Sequence, residues 1–149
     1  MRTLVLFTAT LCLAACARTD SGIASKVFPL EVLSLVPLTD PATHGVGVSA
    51  SVRNIDGYTL RSATLTIAGY DEQGTKTTTD YLLEIQGPLS AKDNSGIVAK
   101  KDVWRGANVR CIKVINAKVT SMDYATDYAQ GIVARKIVAG QDRSTCREF

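Results

Sequence analysis

The sequence predicts a mainly β protein: a single antiparallel β-sandwich of six to seven short strands with a short C-terminal helix. Three observations carry that reading. Apolar and polar residues alternate with period two, most clearly where Val46, Val48, Ala50 and Val52 interleave with Gly47, Ser49, Ser51 and Arg53. Turn signals punctuate the chain about every 8–12 residues, the spacing of short sandwich strands. Of 149 residues, 46% are apolar and 21% charged, a globular balance that excludes wholesale disorder, collagen and coiled coil. The stretch from residue 26 to 149 is long enough for one two-layer core.

The elements follow in order. Val27 to Leu38 is apolar but interrupted by Pro29 and Pro37, so it reads as an edge strand with irregular ends. Asp40-Pro41-Ala42-Thr43-His44-Gly45 is a loop, followed by the alternating strand from Val46 to Arg53. Asp56-Gly57 marks a turn. Leu60 to Tyr70 alternates again, with Ala63, Leu65 and Ile67 on one face and Thr64, Thr66 and Ala68 on the other. Asp71-Glu72-Gln73-Gly74 forms a hairpin turn with Gly74 in the left-handed region, and a strand returns over Thr75 to Ile85. Gly87-Pro88 breaks the chain, and Lys92 to Gly96 is an exposed turn. Ile97 to Trp104 is a strand, and Val109 to Ile115 and Ala117 to Tyr124 are two more with a bend near Asn116. The period then changes: Tyr128, Ile132, Val133, Lys136 and Ile137 suit a helix from about Asp127 to Ala139 that stops at Gly140.

The first residues concern address rather than fold. Arg2 precedes an apolar run from Leu4 to Leu13. As a helix, such a run rises about 15 Å, half of a roughly 30 Å hydrocarbon core. It is too short to span and suits the apolar region of a signal peptide. Leu13-Ala14-Ala15-Cys16 follows and resembles the lipobox of bacterial lipoproteins. The resemblance implies a signal peptide over residues 1–15, a diacylglyceryl group on the thiol of Cys16, and an acylated Cys16 amine after cleavage. Several acyl chains make a stable anchor where one is marginal. The competing reading is an ordinary signal cut after Ala15, leaving Cys16 free. In enterobacterial lipoproteins Asp at the next position retains the protein in the inner membrane. Ala17 stands there instead, which implies the periplasmic face of the outer membrane. Residues 16–25 are then a lipidated N-terminus and small polar tether, and 26–149 the folded domain.

Cys111 and Cys146 are the cysteines left to the mature chain, an even pair for an oxidising compartment. A disulfide between them would close a loop of roughly 35 residues, worth about 3–4 kcal/mol in the chain-entropy model. The alternative is two buried thiols. Two cysteines and the single histidine, His44, leave a zinc site one ligand short.

Ser51-Val52-Arg53-Asn54, then Ile67-Ala68-Gly69-Tyr70-Asp71 with Gly74, then Gly87-Pro88-Leu89-Ser90 resemble the FxLYD-type and related immunoglobulin-like domains of bacterial surface and periplasmic proteins. Ile67 stands where that family has Phe and Gly69 where it has Leu, while Tyr70 and Asp71 match. The resemblance covers about a third of the chain. It implies an immunoglobulin-like sandwich used for binding or spacing, without an active site.

The formal net charge of +3, or +2 once Arg2 is lost with the leader, does not suit a nucleic-acid binder. No cofactor motif is present: there is no phosphate loop, dinucleotide fingerprint, EF-hand or nucleophile elbow. His44, with Asp40 four residues before it, reads as a solvated loop residue, as does the Asp71-Glu72 pair in its turn. The candidate binding patch is Lys100, Lys101, Trp104 and Arg105, with Arg110 nearby, since cationic and aromatic side chains can engage a lipid, a glycan or a partner. The competing reading puts Trp104 in the core and leaves the charges solvated. Tyr124 with Tyr128, and Asp123 with Asp127, share an i, i+4 spacing that admits sugar binding but favours core packing beside the helix start. The sequence therefore points to a non-enzymatic cell-envelope lipoprotein, a binding or assembly module held at the membrane through Cys16 with an envelope protein as partner. Alternatives are a secretion-system accessory similar to the type VI outer-membrane lipoprotein, or an envelope enzyme.

Overall fold

A computed structural model describes residues 27–138. The leader, Cys16, the tether, the tail from residue 139 and Cys146 lie outside the described residues. Seven strands and one short helix follow in order: β1 (Leu30–Asp40), β2 (Gly45–Asn54), β3 (Leu60–Tyr70), β4 (Tyr81–Leu89), β5 (Val98–Arg105), β6 (Cys111–Ser121), β7 (Thr126–Gln130) and α1 (Gly131–Lys136). They form an immunoglobulin-like antiparallel β-sandwich. One sheet has the order β1-β2-β5 and the other β4-β3-β6-β7. The chain crosses between sheets at β2–β3, β4–β5 and β5–β6, so β5 returns beside β2 and β6 beside β3.

Period-two alternation decides what is inside. Val46, Val48, Ala50 and Val52 of β2 are all buried, facing Ala63, Leu65 and Ile67 of β3 and the inward residues of β4 and β6. Trp104 closes one end of this core. Its ring meets Tyr81 edge to face at 6.3 Å between centroids, and its indole N–H donates to the Thr79 carbonyl at 3.0 Å. Asn54, the most deeply buried polar residue, binds the other end together. Its amide donates to the carbonyls of Tyr58, Leu89 and Ser90, and its Oδ1 accepts from the Asp56 N–H.

Four sequence expectations are corrected. The strand after Gly74 begins at Tyr81, not Thr75. The expected turn at Asp71–Gly74 is present, closed by Gly74 N–H to the Asp71 carbonyl and Asp71 N–H to the Thr75 carbonyl, but past the Tyr70–Lys76 bridge Thr78 Oγ1 accepts from the Gly69 N–H and the chain rejoins the ladder only at Tyr81. Gly87-Pro88 does not end a strand: β4 runs through it. β4 is an edge strand, where the missing proline N–H disrupts no ladder. The two strands expected around Asn116 are one, β6, and the bend is a β-bulge between the Thr66–Asn116 and Ile67–Val114 pairs. The helix expected over residues 127–139 is shorter and starts later. Residues 126–130 are strand β7, because pairing with β6 places Ala129 opposite Ala117 and buries it. Gly131, at φ 55°, then turns the chain into α1, the one helix among the described residues. Beyond it the Ile137 carbonyl accepts from Val32 N–H at 2.6 Å, returning the chain to the outer edge of β1.

Gly74 has φ 79°, as the turn requires. Gly74→Val is expected to cost about 1–2 kcal/mol, because a β-branched side chain is strained in the left-handed region. Gln73→Ala, exposed in the same turn, should cost far less. Thermal melts of the two variants that coincide would refute this account of the turn.

Candidate functional site

The outward face of the four-stranded sheet is built by register. Glu84, Thr64, Lys118 and Tyr128 lie in one row across the strands, and Gln86, Ser62, Thr120 and Thr126 in the next. All of them except Thr126 sit next to a core residue in the chain, so alternation that buries one face lines the other with hydroxyl, amide and charged groups. The regular pleat breaks at Arg61. Both neighbours of β3 shift register between Leu60 and Ser62, so the adjacent Arg61 and Ser62 both line the outer face instead of alternating across the sheet. Gly87 lies opposite this bulge. A Cβ there would come within 2.3 Å of the Arg61 carbonyl oxygen, so the close approach of the two strands requires glycine.

The displaced Arg61 guanidinium lies over the Tyr124 ring, 4.5 Å from its centroid. Tyr124 is held by a tight turn between β6 and β7. Its N–H donates to the Ser121 carbonyl at 3.1 Å, and Ser121 N–H donates to the Ala125 carbonyl at 2.9 Å. Ser121 Oγ donates to the Asp123 carboxylate, which holds its pKa below the usual range, assisted by the Ala125 N–H. Tyr124 has φ 67°, a conformation that bulky L-residues rarely adopt, yet its ring is 70% exposed. Between these parts lies a shallow groove of about 390 Å³, lined by Arg61, Ser62, Thr64, Glu84, Gln86 and Thr120, with Ala63 beneath. That volume is at the small end of ligand sites, about 300–1,000 Å³.

At the same end, Tyr58 donates from its hydroxyl to Asp127 Oδ2 at 3.3 Å. Partial burial, reinforced by the carboxylates of Asp56 and Asp127, pushes the phenol up to about 12. It is a neutral donor that braces β7 against the β2–β3 loop.

The residues singled out in the sequence are distributed differently. Trp104 is buried in the core, and Lys100, Lys101 and Arg105 are exposed around it on edge strand β5. Arg110 is separated from them in the loop before β6 and pairs with Glu72 at 2.7 Å. Carboxylates interrupt the cationic stretch. Asp102 accepts from Thr43 Oγ1, and Asp40 is lowered chiefly by the Ala42 N–H, with Lys101 adding a smaller contribution. His44 is exposed at φ 50°, and its carbonyl accepts from Gly106 N–H. Tyr124 and Tyr128 are 70% and 64% exposed, so the expected core packing is corrected: strand β7 points Tyr128 outward beside Lys118. Cys111 is buried at the start of β6. Sequence reading did not single out Arg61, Glu84 or Gln86. Thr64 and Thr66 marked an outward face, but the bulge that builds the groove leaves no mark in periodicity.

Fold and site define the class as a small immunoglobulin-like β-sandwich with a side-chain-lined groove on one outer face. No family model, no curated protein and no solved structure matches this chain.

Proposed function

We propose that the chain is a non-enzymatic lipoprotein of the cell envelope, a binding or assembly module anchored through acylated Cys16. The observation that carries this reading is Leu13-Ala14-Ala15-Cys16 at the end of a short apolar run, with the first strand of the sandwich beginning at Leu30. Residues 17–29 reach at most about 45 Å when extended, so the domain stays close to the bilayer that holds the acyl chains. A rigid sheet presenting exposed polar and aromatic side chains suits recognition. The pairing of Cys111 with Cys146 belongs to the same proposal, because it needs the oxidising compartment that the leader implies.

Feeding cells an acyl-chain probe is expected to label the wild-type protein and not Cys16→Ser, and the variant should leave the membrane fraction. Equal label on both would remove the anchor from the proposal. Intact mass of the purified protein, alkylated without reductant, should show Cys111 and Cys146 unmodified; two alkylated thiols would rule out the bridge.

A further inference from the structure

We propose that the groove on the outer face of the four-stranded sheet binds a polysaccharide strand of the cell envelope, holding its sugar rings between Arg61, Glu84, Gln86 and Tyr124. The inference gives a ligand class to the binding module proposed above and rests on that reading.

Three departures from regular backbone converge on this groove. The bulge in β3 turns Arg61 onto the face, Gly87 lets β4 approach the bulge, and the turn after β6 holds Tyr124 at positive φ with its ring exposed. None of them adds to the core, and unusual backbone held in place by surrounding structure is characteristic of functional sites.

The chemistry of the lining selects the ligand. A sheet face offers side chains and not main-chain N–H and C=O groups, so an added peptide strand has no ladder to join here. Six of the seven lining residues are polar, leaving no recess for an apolar anchor. Arg61 and Glu84 nearly cancel, which disfavours a phosphate or an acidic peptide. What remains matches a pyranose, with hydroxyls around its edge and C–H groups on its faces. Glu84 accepts from neighbouring hydroxyls, Gln86 both donates and accepts, and Arg61 donates. Beside the groove, Tyr124, which carries the Arg61 guanidinium on one face of its ring, and Tyr128 add exposed aromatic surface.

The test is co-sedimentation of the full-length, detergent-solubilised lipoprotein with purified peptidoglycan sacculi, with soluble glycan fragments as competitor. The wild type is expected in the pellet and to be displaced by the fragments. Removing both charged partners with Arg61→Ala and Glu84→Ala should lower retention about ten-fold or more. Tyr124→Asn, which tolerates the left-handed backbone, should also weaken it. Glu31→Ala with Arg53→Ala, an ion pair on the other sheet, should bind as wild type. Thermal melts establish that each variant is folded; if Tyr124→Asn is not, the Arg61/Glu84 variant decides. A wild type that stays in the supernatant, retention that the fragments do not reduce, or equal loss in the Glu31/Arg53 variant would overturn the proposal. Acyl labelling reads the anchor and sedimentation reads the groove, so failure of one is distinguishable from failure of the other.

Discussion

Asn54→Ala is expected to lower stability by about 3 kcal/mol, roughly 10 °C in melting temperature for a domain of this size. Asn54 has no exposed surface, and its amide serves three carbonyls, those of Tyr58 at 2.7 Å and of Leu89 and Ser90 at 3.1 Å. Alanine leaves the buried Leu89 carbonyl and the partly buried carbonyls of Tyr58 and Ser90 without their donor, and a buried group left unpaired costs about 1–3 kcal/mol. It also releases the Asp56 N–H, which donates to Asn54 Oδ1 at 3.0 Å. The damage is tertiary, because the three carbonyls belong to the β2–β3 loop and to the end of β4, on the sheet opposite β2. Asn54→Asp preserves size but replaces the donor with a buried charge facing carbonyl oxygens, so at neutral pH it should destabilise at least as much as alanine. Thermal or urea melts decide the matter. An Asn54→Ala protein melting within about 2 °C of wild type would mean that the two sheets do not depend on this clasp.

Leu83→Ala is expected to cost about 3 kcal/mol, within the 2–5 kcal/mol seen for buried Leu→Ala changes, while Leu82→Ala should cost less than about 0.5 kcal/mol. The two leucines are neighbours on β4 and look equivalent in the sequence. Leu83 is fully buried opposite Leu65, whereas Leu82 is 60% exposed on the outer face. Removing Leu83 opens a cavity in the centre of the core, and removing Leu82 exposes little that was covered. Urea titrations of both variants measure the difference. Similar midpoints would show that β4 is placed one residue out of register, because such a slip exchanges the faces of every side chain.

Much of the fold was legible because burial imposes its period locally. The runs at Val46–Val52 and Ala63–Ile67 alternate strictly and became β2 and β3 with those residues inside. The left-handed Gly74 was legible for a similar reason, since a turn of that kind leaves a specific residue type behind. The last segment was misread because Tyr128, Ile132 and Val133 fall at helical spacing although none is buried. Periodicity reports a buried face only when burial produced it. Trp104 was legible only as a choice between core and surface, and the ring that it packs against, Tyr81 on the opposite sheet, lies 23 residues away in the chain.

By itself the sequence determined the sandwich class, most strand positions and the Gly74 turn, because each is a local pattern of residue types repeated along the chain. Only the tertiary structure decided that β4 runs through Gly87-Pro88 as an edge strand, that β6 is one bulged strand, and that residues 126–130 pair as β7. The same holds for the groove. Arg61, Glu84, Gln86 and Thr120 come from three strands and are joined only by register, and the bulge that turns Arg61 toward Tyr124 is a mismatch between strands that neither strand records alone. Side-chain alternation is a property of one strand, whereas register and bulges are properties of pairs, set by hydrogen bonds between residues distant in the chain.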